Sequence, residues 1–136
     1  DLHSFDQAEH DLLKSIEISP RGDMSARTNL ALVKVQKAYH ELGIDPRNSL
    51  QTLAEYVSKD GLRDKLDRQT LVKVEEYLQQ AISYAGMSPQ VLTVAAELYF
   101  HIAKNAVGIS LLRQSLSLRH DEKAAVLLDI MTSTHS

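Results

Sequence analysis

Apolar residues along this chain recur at spacings of three and four, and no stretch alternates apolar and polar positions long enough to argue for a sheet. The pattern predicts helices throughout. A first helix is expected from about Ser4 to Ile18, with Phe5, Ala8, Leu12, Ser15 and Ile16 on one face and Asp6, Glu9, Lys14 and Glu17 on the polar side, ending before Pro20-Arg21-Gly22. A second, about Met24 to Leu42, carries Ala26, Leu30, Val33 and Ala38 and is stopped by Gly43. Asp45 then reads as a cap and Pro46 as a first-turn proline, whose missing amide costs nothing there, for a third helix through Leu50, Leu53, Ala54 and Val57 to Asp60-Gly61.

The clearest stripe belongs to a fourth helix, about Asp67 to Ala85. Leu71, Val74, Leu78, Ala81, Ile82 and Ala85 share one face, Glu75, Glu76, Gln79 and Gln80 lie opposite, and Gly86 is expected to stop it in the left-handed conformation. Ser88-Pro89 opens a fifth helix to about Ala103, and Lys104-Asn105 turns tightly into a sixth that ends near Arg119. Asp121 caps a seventh bearing Ala124, Ala125, Val126, Leu127, Leu128, Ile130 and Met131, and Thr132 to Ser136 reads as a flexible polar tail. The expectation is about seven helices in one domain over residues 1–131, with a tail at 132–136.

Composition narrows the function classes. With 136 residues, 43% hydrophobic and 24% charged, the chain can bury roughly two thirds of its unfolded surface in a single core. The net charge of -3 lacks the basic footprint with which nucleic-acid binders displace counterions from phosphates, so no nucleic-acid partner is expected. Without cysteine, disulfides, thiolate metal sites and cysteine nucleophiles are excluded together. No apolar run approaches the roughly 18 residues a membrane span requires, so no membrane insertion is expected and the compartment, cytoplasm or periplasm, stays open. Asp1 in place of an initiating methionine suggests a piece of a longer protein.

The segment Leu78, Ala81, Ile82, Tyr84, Gly86 returns 34 positions later as Leu112, Ser115, Leu116, Leu118, His120, and the spacing appears once more as Leu12, Ser15, Ile16, Ile18, Pro20. On these residues the chain resembles the tetratricopeptide-repeat (TPR) family, in a degenerate form. Residues 89–122 resemble a unit most closely. Leu92, Ala95, Ala96 and Tyr99 take the first-helix positions and Gly108, Leu112 and Ser115 the second-helix ones, with His120 where proline is usual and no large aromatic early in the unit. The middle of the chain is out of register: Pro20 to Gly86 spans 66 positions, two short of two periods, which either a hidden short helix between Gly61 and Arg68 or an irregular bundle would explain. The resemblance implies antiparallel helix hairpins stacked as a short α-α superhelix.

It also implies a protein-binding scaffold. By its register the concave face would present Gln90, Thr93, Val94, Glu97, Phe100 and His101 from one helix and Met24, Arg27, Thr28, Ala31, Lys34 and Val35 from another, a groove for a peptide or partner protein. The corresponding function is non-enzymatic protein binding within a larger regulatory, secretion or cell-envelope assembly protein, bacterial by the family's habit.

Two other readings stand beside it. The last helix is apolar nearly all round, and Leu127, Leu128 and Met131 cannot all face one neighbour, so a self-associating regulatory domain would use them as a terminal interface, as in a homodimer. Burial of the same helix inside a compact bundle is the alternative. A helical accessory domain of an enzyme is the third reading, although no catalytic constellation or glycine-rich phosphate loop is legible. Glu9-His10-Asp11 and His120-Asp121-Glu122 pair imidazole with carboxylate, but helix neighbours diverge and no second histidine stands three or four residues away. Neither metal nor cofactor is expected.

Overall fold

A computed structural model describes residues 2–18, 24–44, 67–102 and 104–134, and among them every regular element is an α-helix. The six helices of the described residues are α1 (Leu2–Ile18), α2 (Met24–Leu42), α3 (Arg68–Ala85), α4 (Pro89–His101), α5 (Asn105–Leu118) and α6 (Glu122–Thr134). The helix expected at 45–60, positions 61–66 of the expected turn, and Pro20 all lie outside the described residues.

Local chemistry sets the helix ends. Gly43 ends α2 with φ 68°, its N–H donating to His40 O at 3.1 Å while Ile44 N–H donates to Tyr39 O at 3.1 Å, and the buried Ile44 side chain closes this Schellman turn against the core. Asp67 caps α3 by accepting the Thr70 N–H at 2.7 Å, which holds its carboxyl below the usual carboxylate range. Ser88 caps α4, with Pro89 in the first turn. Asp121 accepts the Lys123 N–H at 3.2 Å and, through its carbonyl, that of Ala125, at the start of α6.

Three local expectations need correction. Gly86 has φ -65° and ψ -8°, so it continues right-handed; glycine is needed there for space, because a β-carbon would stand 2.8 Å from the Ile82 carbonyl oxygen. Helix α4 ends at His101 rather than near Ala103. Helix α6 continues to Thr134, past the expected boundary at Met131, with the Thr132 hydroxyl donating to Leu128 O at 2.8 Å.

The core is continuous from α2 to α6. Ala31, Val35, Ala38 and Leu42 of α2 and Val74, Leu78, Ala81 and Ala85 of α3 belong to one buried cluster, and the alanines at four of these positions let the two helices lie close. Helix α4 is the central element: every residue from Val91 to Ile102 except Val94 is buried, since α2, α3 and α5 all pack on it. Helices α4 and α5 form a hairpin with a close contact at Gly108, where the Phe100 ring takes the place of a β-carbon. Helix α1 packs on α2 with an apolar face that is only partly buried and is tied down by charge. Lys34 pairs with Glu9 at 3.1 Å, and Lys37 with Asp6 at 2.7 Å and Glu9 at 2.8 Å. Lys37 also lies over the Tyr77 ring of α3, 5.8 Å from its centroid.

Candidate partner-binding cleft

The side chains expected to form one groove are divided by the fold. Ala31 and Phe100 are core, and Thr93, Glu97 and His101 are buried as a polar line along α4, each four residues from the next. Lys34 is partly buried and committed to Glu9. Arg27 lines a different, open cleft of about 700 Å³ with Thr28, the turn from Gly86 to Ser88, and Gln114, whose side-chain amide donates to Gly86 O at 3.3 Å. Gln90 is exposed. The expected continuous concave face does not form because α4 from Ala95 to His101 is enclosed by other helices.

Each residue of the buried polar line meets a specific neighbour. Ser115 Oγ donates to the Pro89 carbonyl at 3.0 Å, which leaves its oxygen to accept the Thr93 hydroxyl at 3.0 Å, so these two hydroxyls tie α4 to α5. His101 Nδ1 donates to Glu97 O at 2.8 Å; the carbonyl can only accept, so that nitrogen carries the proton. Glu97 Oε2 lies 3.7 Å from Lys123 Nζ of α6. Nearby, burial first and then the charge of Glu75 raise the Tyr99 hydroxyl above its ordinary pKa.

Gln90 and Thr93 do share a surface, with residues that the sequence pattern did not assign to it. Together with Val94 they line a cleft of about 400 Å³ whose other wall is the α5–α6 turn, Arg119, His120, Asp121 and Lys123. Thr93, whose hydroxyl pairs with Ser115, is among the lining residues. The Asp121 carboxylate is turned to the backbone of α6 as its cap. Arg119 and Lys123 are the cationic residues of the lining, beside His120. The signal available in the sequence was the run of ionisable residues from Arg119 to Lys123, read there as a turn and a poor metal cluster. Among the described residues no group of three or more histidines and carboxylates could hold a metal ion.

The expected terminal interface is also corrected. Leu127 and Met131 are fully buried with Ala124, and Leu128 is partly buried against the core, so these side chains close the bundle instead of standing at its end. The exposed apolar residues of α6 are Val126 and Ile130. Within the described residues no helix is long and apolar enough to cross a membrane. No protein-family model, curated protein or solved structure matches the chain.

Proposed function

We propose that this chain is a non-enzymatic protein-binding module of TPR-like helix hairpins, and that the cleft between the start of α4, the end of α5 and the start of α6 seats a peptide segment of a partner protein. The observation that carries this reading is the cleft itself: about 400 Å³, opening between helices, with Arg119, His120 and Lys123 facing Gln90, Thr93 and Val94. Charge complementarity selects a segment bearing carboxylates. The close α4–α5 approach at Gly108 supports the hairpin comparison, because a small residue stands where the TPR resemblance calls for one. By that resemblance the module serves a larger regulatory, secretion or cell-envelope assembly protein, of bacterial type.

The test is to pan a displayed library of random 12-residue peptides against the whole chain and measure the enriched peptides against an Arg119→Glu/His120→Glu variant. Both positions are exposed, so the fold is retained. Enriched acidic peptides that lose at least tenfold in affinity on the variant, about 1.4 kcal/mol, are the expected result. Failure to enrich any peptide, or equal binding to both proteins, would overturn the reading.

A further inference from the structure

Helix α1 is held to the bundle by charge more than by burial. No residue from Ser4 to Ile18 is buried, and Leu13 is 44% exposed. On the other side of the contact Lys37 of α2 is only 7% exposed and the Lys34 side chain 15%. The pairs fix one register: Phe5 meets His40 edge-on with ring centroids 6.5 Å apart, Asp6 pairs with Lys37, and Glu9 pairs with Lys34 and Lys37, so the two helices run antiparallel. Continued, that register sets the half-buried Leu12 and Ile16 opposite Leu30 and Ala26. Those two α2 residues are buried but lie outside the apolar cluster that α2 shares with α3 to α6. The α2 face turned to α1 is thus an apolar line ending at two ammonium groups, with the Tyr77 ring centroid 5.8 Å from the Lys37 nitrogen.

We propose that this face is a docking site for an amphipathic helix of another protein, one bearing two carboxylates three residues apart, and that α1 occupies it in the free chain as a displaceable strap. The site is separate from the cleft beside α4. Its charge preference is visible in the occupant, since Asp6 and Glu9 stand one turn apart and each reaches a lysine. Because α1 buries no side chain fully from Ser4 to Ile18, its hold rests on these ion pairs and on its covalent attachment, which supplies an effective concentration on the order of millimolar. A helix that offers the same carboxylates and a larger apolar face toward Leu30 replaces it.

Fluorescence anisotropy of the whole chain with a labelled, end-blocked peptide of the sequence 2–18 reads the site. In Asp6→Lys/Glu9→Lys the chain's own α1 is repelled from Lys34 and Lys37, so this variant should bind the peptide at least tenfold more tightly than the unaltered chain does. A peptide carrying Asp6→Asn and Glu9→Gln should bind the variant at least tenfold more weakly than the unaltered peptide. In the unaltered chain, about millimolar peptide should speed amide exchange in α1 and leave the α4–α5 hairpin unchanged, a readout that does not depend on how the variant folds. Equal binding of the peptide to both proteins, equal binding of the two peptides, or α1 exchange unmoved by the peptide overturns the proposal. So does a dimer of the unaltered chain that Asp6→Lys/Glu9→Lys returns to monomer, because the face would then receive α1 of a second copy.

Discussion

The ring of Phe100 stands where a β-carbon on residue 108 would have to be, with its Cδ1 and Cζ atoms 2.7 and 2.8 Å from that position. The two residues lie on consecutive helices, and the ring is buried, so it has little room to move aside. Gly108→Ala therefore sets two effects against each other. Alanine gains about 1 kcal/mol in helix propensity, while overpacking a filled core costs about 1–3 kcal/mol. Overpacking is expected to win, lowering the urea midpoint of unfolding. Adding Phe100→Leu to Gly108→Ala should recover part of the loss, although Phe100→Leu alone destabilises. A double-mutant cycle reads the coupling, and additive effects would show that the two side chains do not compete for the space.

The Lys37 ammonium joins α1 to the rest of the bundle. Burial alone would lower its pKa, but its hydrogen bonds to Asp6 and Glu9 and the charges of those carboxylates outweigh burial and raise it above the ordinary 10.5. A raised lysine pKa contributes stability that is complete below the unfolded value and is lost as pH climbs through the folded one. Amide exchange in α1, corrected for its intrinsic pH dependence, should therefore accelerate above about pH 10.5 before that of α4 and α5. Lys37→Met keeps the packing stem and removes the charge. It should speed corrected exchange in α1 at least tenfold at neutral pH, leaving the α4–α5 hairpin nearly unchanged. Uniform acceleration across all helices would mean that α1 has no separate opening.

The Asp67 cap has the opposite sign. Its carboxyl is held below the usual range chiefly by the Thr70 backbone N–H, so its contribution is present above the unfolded pKa and is lost as pH falls through the folded one. Asp67→Ala should lower the urea midpoint of unfolding at neutral pH. The difference between the two proteins should shrink on acidification to below about pH 3.5, where the carboxyl is protonated in the unfolded chain. A gap in urea midpoints that persists unchanged there would contradict the capping role.

Helix positions were largely legible in the residues because their determinants are local. Asp67, Ser88-Pro89, Asp121 and Gly43 mark ends by chemistry within a few positions, and the stripe from Leu71 to Ala85 describes the face that α3 buries. The helix expected between 45 and 60 lies outside the described residues. The binding surface was much less legible. Thr93, Glu97 and His101 look like surface residues because polar side chains usually are, and only the packed structure reveals Ser115, Lys123 and the backbone as their partners. Likewise α6 offers too many apolar residues for its pattern alone to show that Leu127 turns inward and Val126 outward. The cleft joins α4 to the α5–α6 turn about 30 positions later, a juxtaposition no short motif announces.

The central claim, that the cleft beside α4 is the binding surface, is tested most directly by backbone NMR of the whole chain titrated with an acidic peptide enriched on it. The account predicts shift changes concentrated at Gln90, Thr93, Val94, Arg119, His120 and Lys123, saturating with peptide and absent for the same peptide with its carboxylates amidated. Saturating changes centred on α1, or on the outer face of α6 at Val126 and Ile130, would contradict it.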